Sequence, residues 1–393
     1  MQDKEIEQLL EKEAKRQDDV INLIASENYV SEDVMKALGS TLTNKYAEGY
    51  TGARYYGGNV HIDEIEELCK ERALELFDLS PKEWAVNVQA LSGSPANLAV
   101  YTALVPHNGK IMALSLDQGG HLTHGHKASL TGKWWQQVPY TLSPDTEVID
   151  HDIIRDVALQ EKPAMIVAGY TAYSRMIDWD AFRAIVDECG ALLHVDASHI
   201  AGLIAGGVYP SPFAYADTVM MTTHKTLRGP RGAVIFSRRS KGLSEKIDKA
   251  VFPGLQGGPH MNAIAGIAVA LHEAMQPSFQ GYAKQVILNA KALSQALEQK
   301  GWRIISGGTD THLFLMDTWL NGISGQQASD ALEKEGIIVN KNTIPFDTRS
   351  PADPSGIRIG TAAETTRGKT EEDMKTLAER IDSILRKIPQ HDS

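Results

Sequence analysis

Three segments of the chain gather side chains whose types and order could do chemistry. The first, Ser92-Gly93-Ser94-Pro95-Ala96-Asn97, lies between a strand-like run and an apolar helix-like run. Ser94 suits an N-cap and Pro95 a first helical turn. A helix N-terminus with free N–H groups beside hydroxyls is a cradle for a phosphate. The second segment, Asp196-Ala197-Ser198-His199, closes the apolar run ALLHV. In open α/β sheets ligands sit beyond the carboxyl ends of strands, and a carboxylate there can hold a protonated ring nitrogen. The third, TTHKTLRGPRG from Thr222 to Gly232, surrounds Lys225 with hydroxyls, His224, Arg228 and Arg231. Cationic neighbours lower a lysine's pKa and favour the neutral amine that attacks an aldehyde. Each segment alone could be a capped turn, a turn Asp or a solvated basic loop. In this order, a phosphate cradle, a strand-end Asp and a lysine are the protein handles of pyridoxal phosphate.

Two further places could add to such a site. GGHLTHGH, from Gly119 to His126, holds three histidines in six residues after the run IMALSL. They could bind a metal, but no nearby Cys completes a zinc set. A ring stacked on a flat cofactor, at His121, is the better reading. Arg358, in SGIRIG, stands on a strand that otherwise reads as core, where an unpaired guanidinium is costly. It could be half of a structural ion pair, or a bidentate grip on a substrate carboxylate.

The elements that must position these residues read as an alternating α/β domain. Helical spacing covers residues 1–19, with Ile6, Leu9 and Leu10 on one side, and a second short helix lies within 22–38. Residues 40–60 are rich in Gly and Tyr and have neither the helix nor the strand period, so an ordered functional loop is expected. A helix over 63–79 follows. Strand-like runs then come at 83–89, 111–116, 164–169, 191–196, 218–221 and 233–236. Strands alternating with helices predict a mostly parallel sheet covered on both faces. A long helical stretch over 259–300, with Gly301 as C-cap, leads to strand candidates at 302–306, 312–317, 336–340 and 356–360. A last helix starts at Thr370, with Asp373 completing a capping box and Met374, Leu377, Ile381 and Ile384 inward. The domains expected are a helical arm over 1–45, a large α/β domain over 46–279 and a smaller α+β domain over 280–393.

Composition narrows the class. The chain has 393 residues, 42% of them hydrophobic, and 39 Lys+Arg against 50 Asp+Glu give a formal net charge of −11. That is the make-up of a globular protein, not of a disordered one. The apolar run AIAGIAVAL falls short of the ~20 residues that span a bilayer, and the acidic balance argues against nucleic acid as a partner. Two cysteines, Cys69 and Cys189, read as free thiols, and the charged N-terminal segment has no apolar signal core. A cytoplasmic location is expected.

Nine segments carry a family resemblance: LIASENYVS, LTNKYAEGYTGARYYGG, SGSPAN, GGHLTHG, DASHIAGL, TTHKTLRGPRG, VFPGLQGGP, SGGTDTHLFL and SGIRIGT. The chain resembles the serine hydroxymethyltransferases over nearly its whole length. The resemblance implies a fold-type I, aspartate aminotransferase-like pyridoxal phosphate enzyme. It implies a homodimer with shared active sites that moves a one-carbon unit between serine and tetrahydrofolate. Lys225 would form the Schiff base, Asp196 would pair with the ring nitrogen, His121 would stack on the ring, and His199 would lie near the 3-hydroxyl. Gly93 and Ser94 would bind the phosphate, with Gly257 and Gly258 reaching in from the partner chain. Tyr46, Thr171 and Arg231 would also touch the cofactor, and Thr222 and His224 would stand beside the lysine. Arg358, helped by Ser26 and Tyr56, would hold the substrate carboxylate. Glu48 would be the acid/base group near the serine hydroxyl and the folate, in a Tyr-rich loop whose partial desolvation suits that role. Leu116, Gly120, Leu122 and Asn342 match folate-contacting positions, and no metal is implied.

Some residues depart from the family pattern. Ala197 and Ser198 stand where it often has Met-Ala, Met220 and Met221 where it has Thr-Thr, Ala362 in place of Pro, and Ala352 in place of a bulky residue. A relative on the same scaffold would be an aldolase acting on threonine-like or α-methylated 3-hydroxy amino acids. Glu48 and the folate-contact positions favour the transferase.

Overall fold

The computed structural model describes residues 1–389. Seven strands form the large sheet: β1 (Trp84–Asn87), β2 (Lys110–Leu114), β3 (Gln136–Tyr140), β4 (Met165–Ala168), β5 (Leu192–Asp196), β6 (Thr218–Thr222) and β7 (Ala233–Arg238). Their spatial order is β1-β7-β6-β5-β4-β2-β3. Strand β7 runs antiparallel to β1 and β6, and the other neighbours are parallel. Helices cover both faces, so β4 and β6 bury every residue and read as unbroken apolar runs. Strand β3, QQVPY, escapes a reading by apolar runs. It is an edge strand, so it keeps polar residues and tolerates Pro139.

The second sheet is antiparallel: β8 (Arg303–Ile304), β9 (Leu313–Asp317), β10 (Asn340–Asn342) and β11 (Gly356–Gly360), in the order β8-β9-β11-β10. The run at 336–340 divides. Ile337–Ile338 pairs in parallel with Ile21–Asn22 and ties the N-terminal segment to this sheet, while Asn340 opens β10.

The helices around the sheets and the loops between them include α1 (Lys4–Asp19), α2 (Val60–Leu76), α3 (Gly93–Leu104), α4 (Met261–Ala274) and α5 (Pro277–Gln299). Helix α1 buries no residue, and Ile6, Leu9 and Leu10 are exposed. Helix α2 starts and ends earlier than the spacing predicts. The stretch at 259–300 is two helices, because Pro277 has no N–H to continue α4 and instead opens α5 at its first position. Lys300 caps α5 and Gly301 follows at φ +89. Phe279, Tyr282, Ala283 and Val286 of α5 join the core under the large sheet, and Leu293 and Leu297 join the core under the small one. The expected boundary near 280 thus falls on a helix that feeds both cores. The capping box at Thr370 and Asp373 opens α6 (Glu371–Leu385), with Leu385 rather than Ile384 fully buried. The predicted range 280–393 runs past the described residues.

The Gly/Tyr-rich loop is ordered. It contains a single 3-10 turn, Thr41–Asn44, and a two-residue hairpin pairing Gly49–Tyr50 with Ala53–Arg54. The N-cap of α3 is Ser92, not Ser94: the first helical bond runs from the Ala96 N–H to the Ser92 carbonyl. The Ser92 side chain makes no capping bond, so the first N–H groups of α3 stay free.

Candidate active site

A cavity of about 310 Å³ opens beyond the carboxyl ends of β2, β4, β5 and β6, where α3 begins. This is where an open α/β sheet binds ligands. Asp196 is the last residue of β5, and Lys225 stands just beyond β6. Gly93 and Ser94 line the cavity from the start of α3. His121, Thr171 and His199 come from the turns after β2, β4 and β5, while Thr222, His224 and Arg231 surround the lysine. Ser26 and Arg358 enter from the N-terminal segment and the second sheet.

One side of the cavity rests on a closed hydrogen-bond network. The Asp196 carboxylate accepts from Asn97 Nδ2 (2.9 Å), His124 Nε2 (3.1 Å) and the Ser198 N–H (3.1 Å). The second Nδ2 hydrogen of Asn97 goes to Thr123 Oγ1 (2.9 Å), and Asn97 Oδ1 accepts from His194 Nε2 (2.9 Å). His194 Nδ1 in turn meets Thr218 Oγ1 (2.8 Å). Burial alone would push the Asp196 carboxyl up. The hydrogen bond from His124 overcomes it, helped by the charge of Lys225, and holds the group well below the usual carboxylate range. An ionised carboxylate is what a protonated ring nitrogen needs. Asn97, His124 and His194 had no role assigned from sequence. The signal was present in His194 and Asp196, two residues apart and hence on one face of β5.

The histidine cluster has the composition of a metal site. Atoms of His121, His124 and Asp196 do lie within 4.8 Å of one another. However, His121 Nδ1 accepts the Thr123 N–H (3.2 Å), and His124 Nδ1 accepts the His121 N–H (3.3 Å). Each Nε2 therefore carries the proton, which makes the cluster a hydrogen-bond network rather than a ligand set. Burial first, and His124 second, lower the His121 pKa to about 4, so its ring is neutral.

The other side is short of partners. Lys225 is buried, and burial, more than its cationic neighbours, lowers its pKa to about 8. Arg358 and Arg231 add to the lowering and Asp196 opposes it. Arg228, counted with these cations from sequence, turns away and stacks over Tyr282 (4.3 Å) and Phe279 (5.2 Å). Arg358 is 7% exposed and bonds only uncharged groups, Asn340 Oδ1 (3.0 Å) and the Thr171 carbonyl (2.9 Å). Among the described residues it has no carboxylate partner, so the structural ion pair is not its role. Among the described residues Thr222 Oγ1 and His224 Nδ1 are buried without a hydrogen bond.

These features fit pyridoxal phosphate. A Cβ on Gly93 would come within 2.6 Å of Thr222 Cγ2, so only glycine leaves the cradle open at the start of α3. Free helix N–H groups and two orphaned polar atoms stand beside it. The amine of lowered pKa and the ionised Asp196 line the same cavity.

Five of the predicted site residues form a separate group. Tyr46, Glu48, Tyr56, Gly257 and Gly258 do not line this cavity. The Tyr46 and Tyr56 rings are 5.3 Å apart, and Tyr46 Oη donates to Glu48 Oε1 (3.4 Å). A Cβ on Gly258 would meet the Tyr46 ring at 2.9 Å, and one on Gly257 would meet Glu48 Oε1 at 3.2 Å. Arg54 locks this loop, donating to the carbonyls on either side of Glu48, Ala47 (2.9 Å) and Gly49 (2.7 Å), and pairing with Asp63 and Glu66. The folate-matching residues also lie outside the cavity's walls. Leu116 opens a 3-10 turn, Gly120 is buried, Leu122 is exposed, and Asn342 ends β10.

A model of the serine hydroxymethyltransferase family matches residues 1–381. The chain belongs to the serine hydroxymethyltransferase family. It is 51% identical over 386 residues to a serine hydroxymethyltransferase of Sorangium cellulosum, covering 98% of this chain and 90% of that protein. A serine hydroxymethyltransferase of Alkalilimnicola ehrlichii is 50% identical over 390 residues, 99% of this chain and 92% of the relative. One of Caenorhabditis elegans is 50% identical over 396 residues, 96% and 78%. The enzyme is accordingly a fold-type I, pyridoxal-phosphate-dependent one-carbon transferase with tetrahydrofolate as co-substrate. The aldolase alternative is not favoured. Among the described residues no helix is long and apolar enough to cross a membrane.

Proposed function

We propose that the cavity and the Tyr46–Glu48 loop are two halves of one active site, joined when two copies of the enzyme pair. In this reading the free N–H groups of α3, Gly93, Ser94 and Arg231 hold the cofactor phosphate. Asp196 holds the ring nitrogen, His121 lies against the ring, His199 stands beside the 3-hydroxyl, and Thr171 closes the pocket. Lys225 supplies the amine that bonds the aldehyde, between Thr222 and His224. The cofactor, when bound, supplies an electron sink for carbanion chemistry at the amino acid.

The roles of the chain's own groups follow from their electrostatics. Arg358, buried and short of a carboxylate, takes that of serine or glycine, with Ser26 beside it. Neutral Lys225 takes and returns protons near pH 8. Glu48, Tyr46 and Tyr56 with Gly257 and Gly258 belong to the partner's site, Glu48 as the proton donor and acceptor at the serine hydroxyl. Leu116, Gly120, Leu122 and Asn342 contact the folate. The observation that carries the reading is the division itself. Five residues with these roles pack on one another instead of lining the cavity that needs them. A cytoplasmic homodimer, with Cys69 buried and both thiols free, completes the reading.

Mixed dimers test it. Chains with Lys225→Arg and chains with Glu48→Gln should each be inactive in the folate-dependent reaction. Refolded together, they form hybrids with one intact site, and about a quarter of the wild-type activity should return. If mixing restores nothing, the shared site is wrong.

A further inference from the structure

One buried histidine has no part in either half of that site. His312 precedes β9 and is 0% exposed, between the small sheet, the N-terminal segment and the turn after β5. Its Nε2 lies 3.2 Å from the Ala25 carbonyl and 3.2 Å from His199 Nδ1, and the two rings stack at 5.4 Å and 27°. A carbonyl oxygen can only accept, so His312 Nε2 carries a hydrogen. That hydrogen is shared in a three-centre bond with His199 Nδ1, which must then be the bare nitrogen. Among the described residues His312 Nδ1 has no partner, as suits a lone pair at the far end of a neutral ring.

Burial first, and Arg358 second, lower the His312 pKa to about 3. Burial, with Lys225 and Arg358, keeps His199 well below its ordinary value. Both rings are neutral, so the proton of His199 sits on Nε2, on a ring that lines the cavity. The anchor is rigid. The His312 carbonyl accepts from the Thr361 N–H (2.9 Å), and Gly360 N–H donates to the Leu23 carbonyl (2.8 Å), strapping the segment that carries Ala25 and Ser26 onto β11.

We propose that His312 is a positioning residue that fixes His199 as its Nε2–H tautomer, so that His199 offers a hydrogen-bond donor to an oxygen in the cavity. The donor is then set before any ligand arrives, and one N–H ties the ring to the N-terminal segment that bears Ser26. The tautomer can be read in the protein itself. The consequence for turnover rests on the reading of the cavity as the cofactor site, which the cofactor's visible absorbance in the wild type tests separately.

The experiment is a long-range ¹H–¹⁵N correlation on holoenzyme labelled at the histidine rings, with His199 assigned by its loss in His199→Asn. Wild-type His199 should be a single Nε2–H tautomer. In His312→Phe, which keeps the bulk and removes the donor, it should become a mixture, and kcat should fall about tenfold. His312→Gln, with an amide N–H near the Nε2 position, should recover both. A wild-type His199 protonated on Nδ1 would overturn the proposal, and that measurement needs no variant to fold. So would a His312→Phe enzyme with the tautomer unchanged, or one with the tautomer shifted and kcat unchanged.

Discussion

The two sides of the cavity differ in how their polar groups are satisfied. Around Asp196 the described donors and acceptors interlock: both amide hydrogens of Asn97 are used, its oxygen is used, and His194 is bonded at both nitrogens. Across the cavity, among the described residues, Thr222 Oγ1 and His224 Nδ1 have no partner and Arg358 has no carboxylate. The closed side can fix one ionisation state of one carboxylate. The open side is costly in the folded chain until charged oxygens arrive. One side is built for positioning and the other for binding.

Four measurements can break or sharpen that contrast. The largest effect is expected at Arg358→Leu: serine binding should weaken by about 3 kcal/mol, more than a hundredfold, through loss of a charge-assisted grip. The thermal midpoint should hold or rise, because a buried unpaired charge is gone. A large fall in stability would make Arg358 structural. Next, Asn97→Ala on the closed side should cost about 2–3 kcal/mol of stability by taking one buried hydrogen bond from each of Asp196, Thr123 and His194. Denaturant titration of the cofactor-free protein reads it, and an unchanged midpoint would mean that the network carries little energy.

Third, Thr222→Val on the open side should leave the cofactor-free protein as stable or slightly more so, since it removes an orphaned hydroxyl. It should weaken cofactor binding by about 1 kcal/mol. Equal losses at Thr222 and Asn97 in the cofactor-free protein would erase the contrast. The smallest effect is one of pH. Cofactor capture by the stripped enzyme needs the neutral Lys225 amine, whose pKa is lowered to about 8. The capture rate should rise about tenfold per pH unit below 8 and level off above it. A rate still climbing toward pH 10 would belong to an ordinary lysine.

Much of this was legible in the residues. Asp196 at the end of an apolar strand, Lys225 beyond the next, and SGSPAN before a helix follow from local rules, because strand ends and helix starts are set by nearby sequence. The apolar strands at β4, β5 and β6 were found for the same reason. The edge strand β3 was not, since its polar alternation and Pro139 reflect a neighbour it lacks. Arg228 shows the limit of sequence proximity. It stands three residues from Lys225, yet its guanidinium stacks on α5 rather than facing the site. His312 shows the converse, a residue more than a hundred positions from His199 that sets its hydrogen bond.

The sequence by itself determined the family, the fold class, the cofactor and the list of residues that could handle it, since these rest on residue type and order along the chain. Only the tertiary structure decided which of those residues share a cavity, how burial lowers the Lys225 pKa and which histidine nitrogens carry protons. Burial, long-range hydrogen bonds and cavity walls are made by segments far apart in the chain. No spacing along it records how close they come.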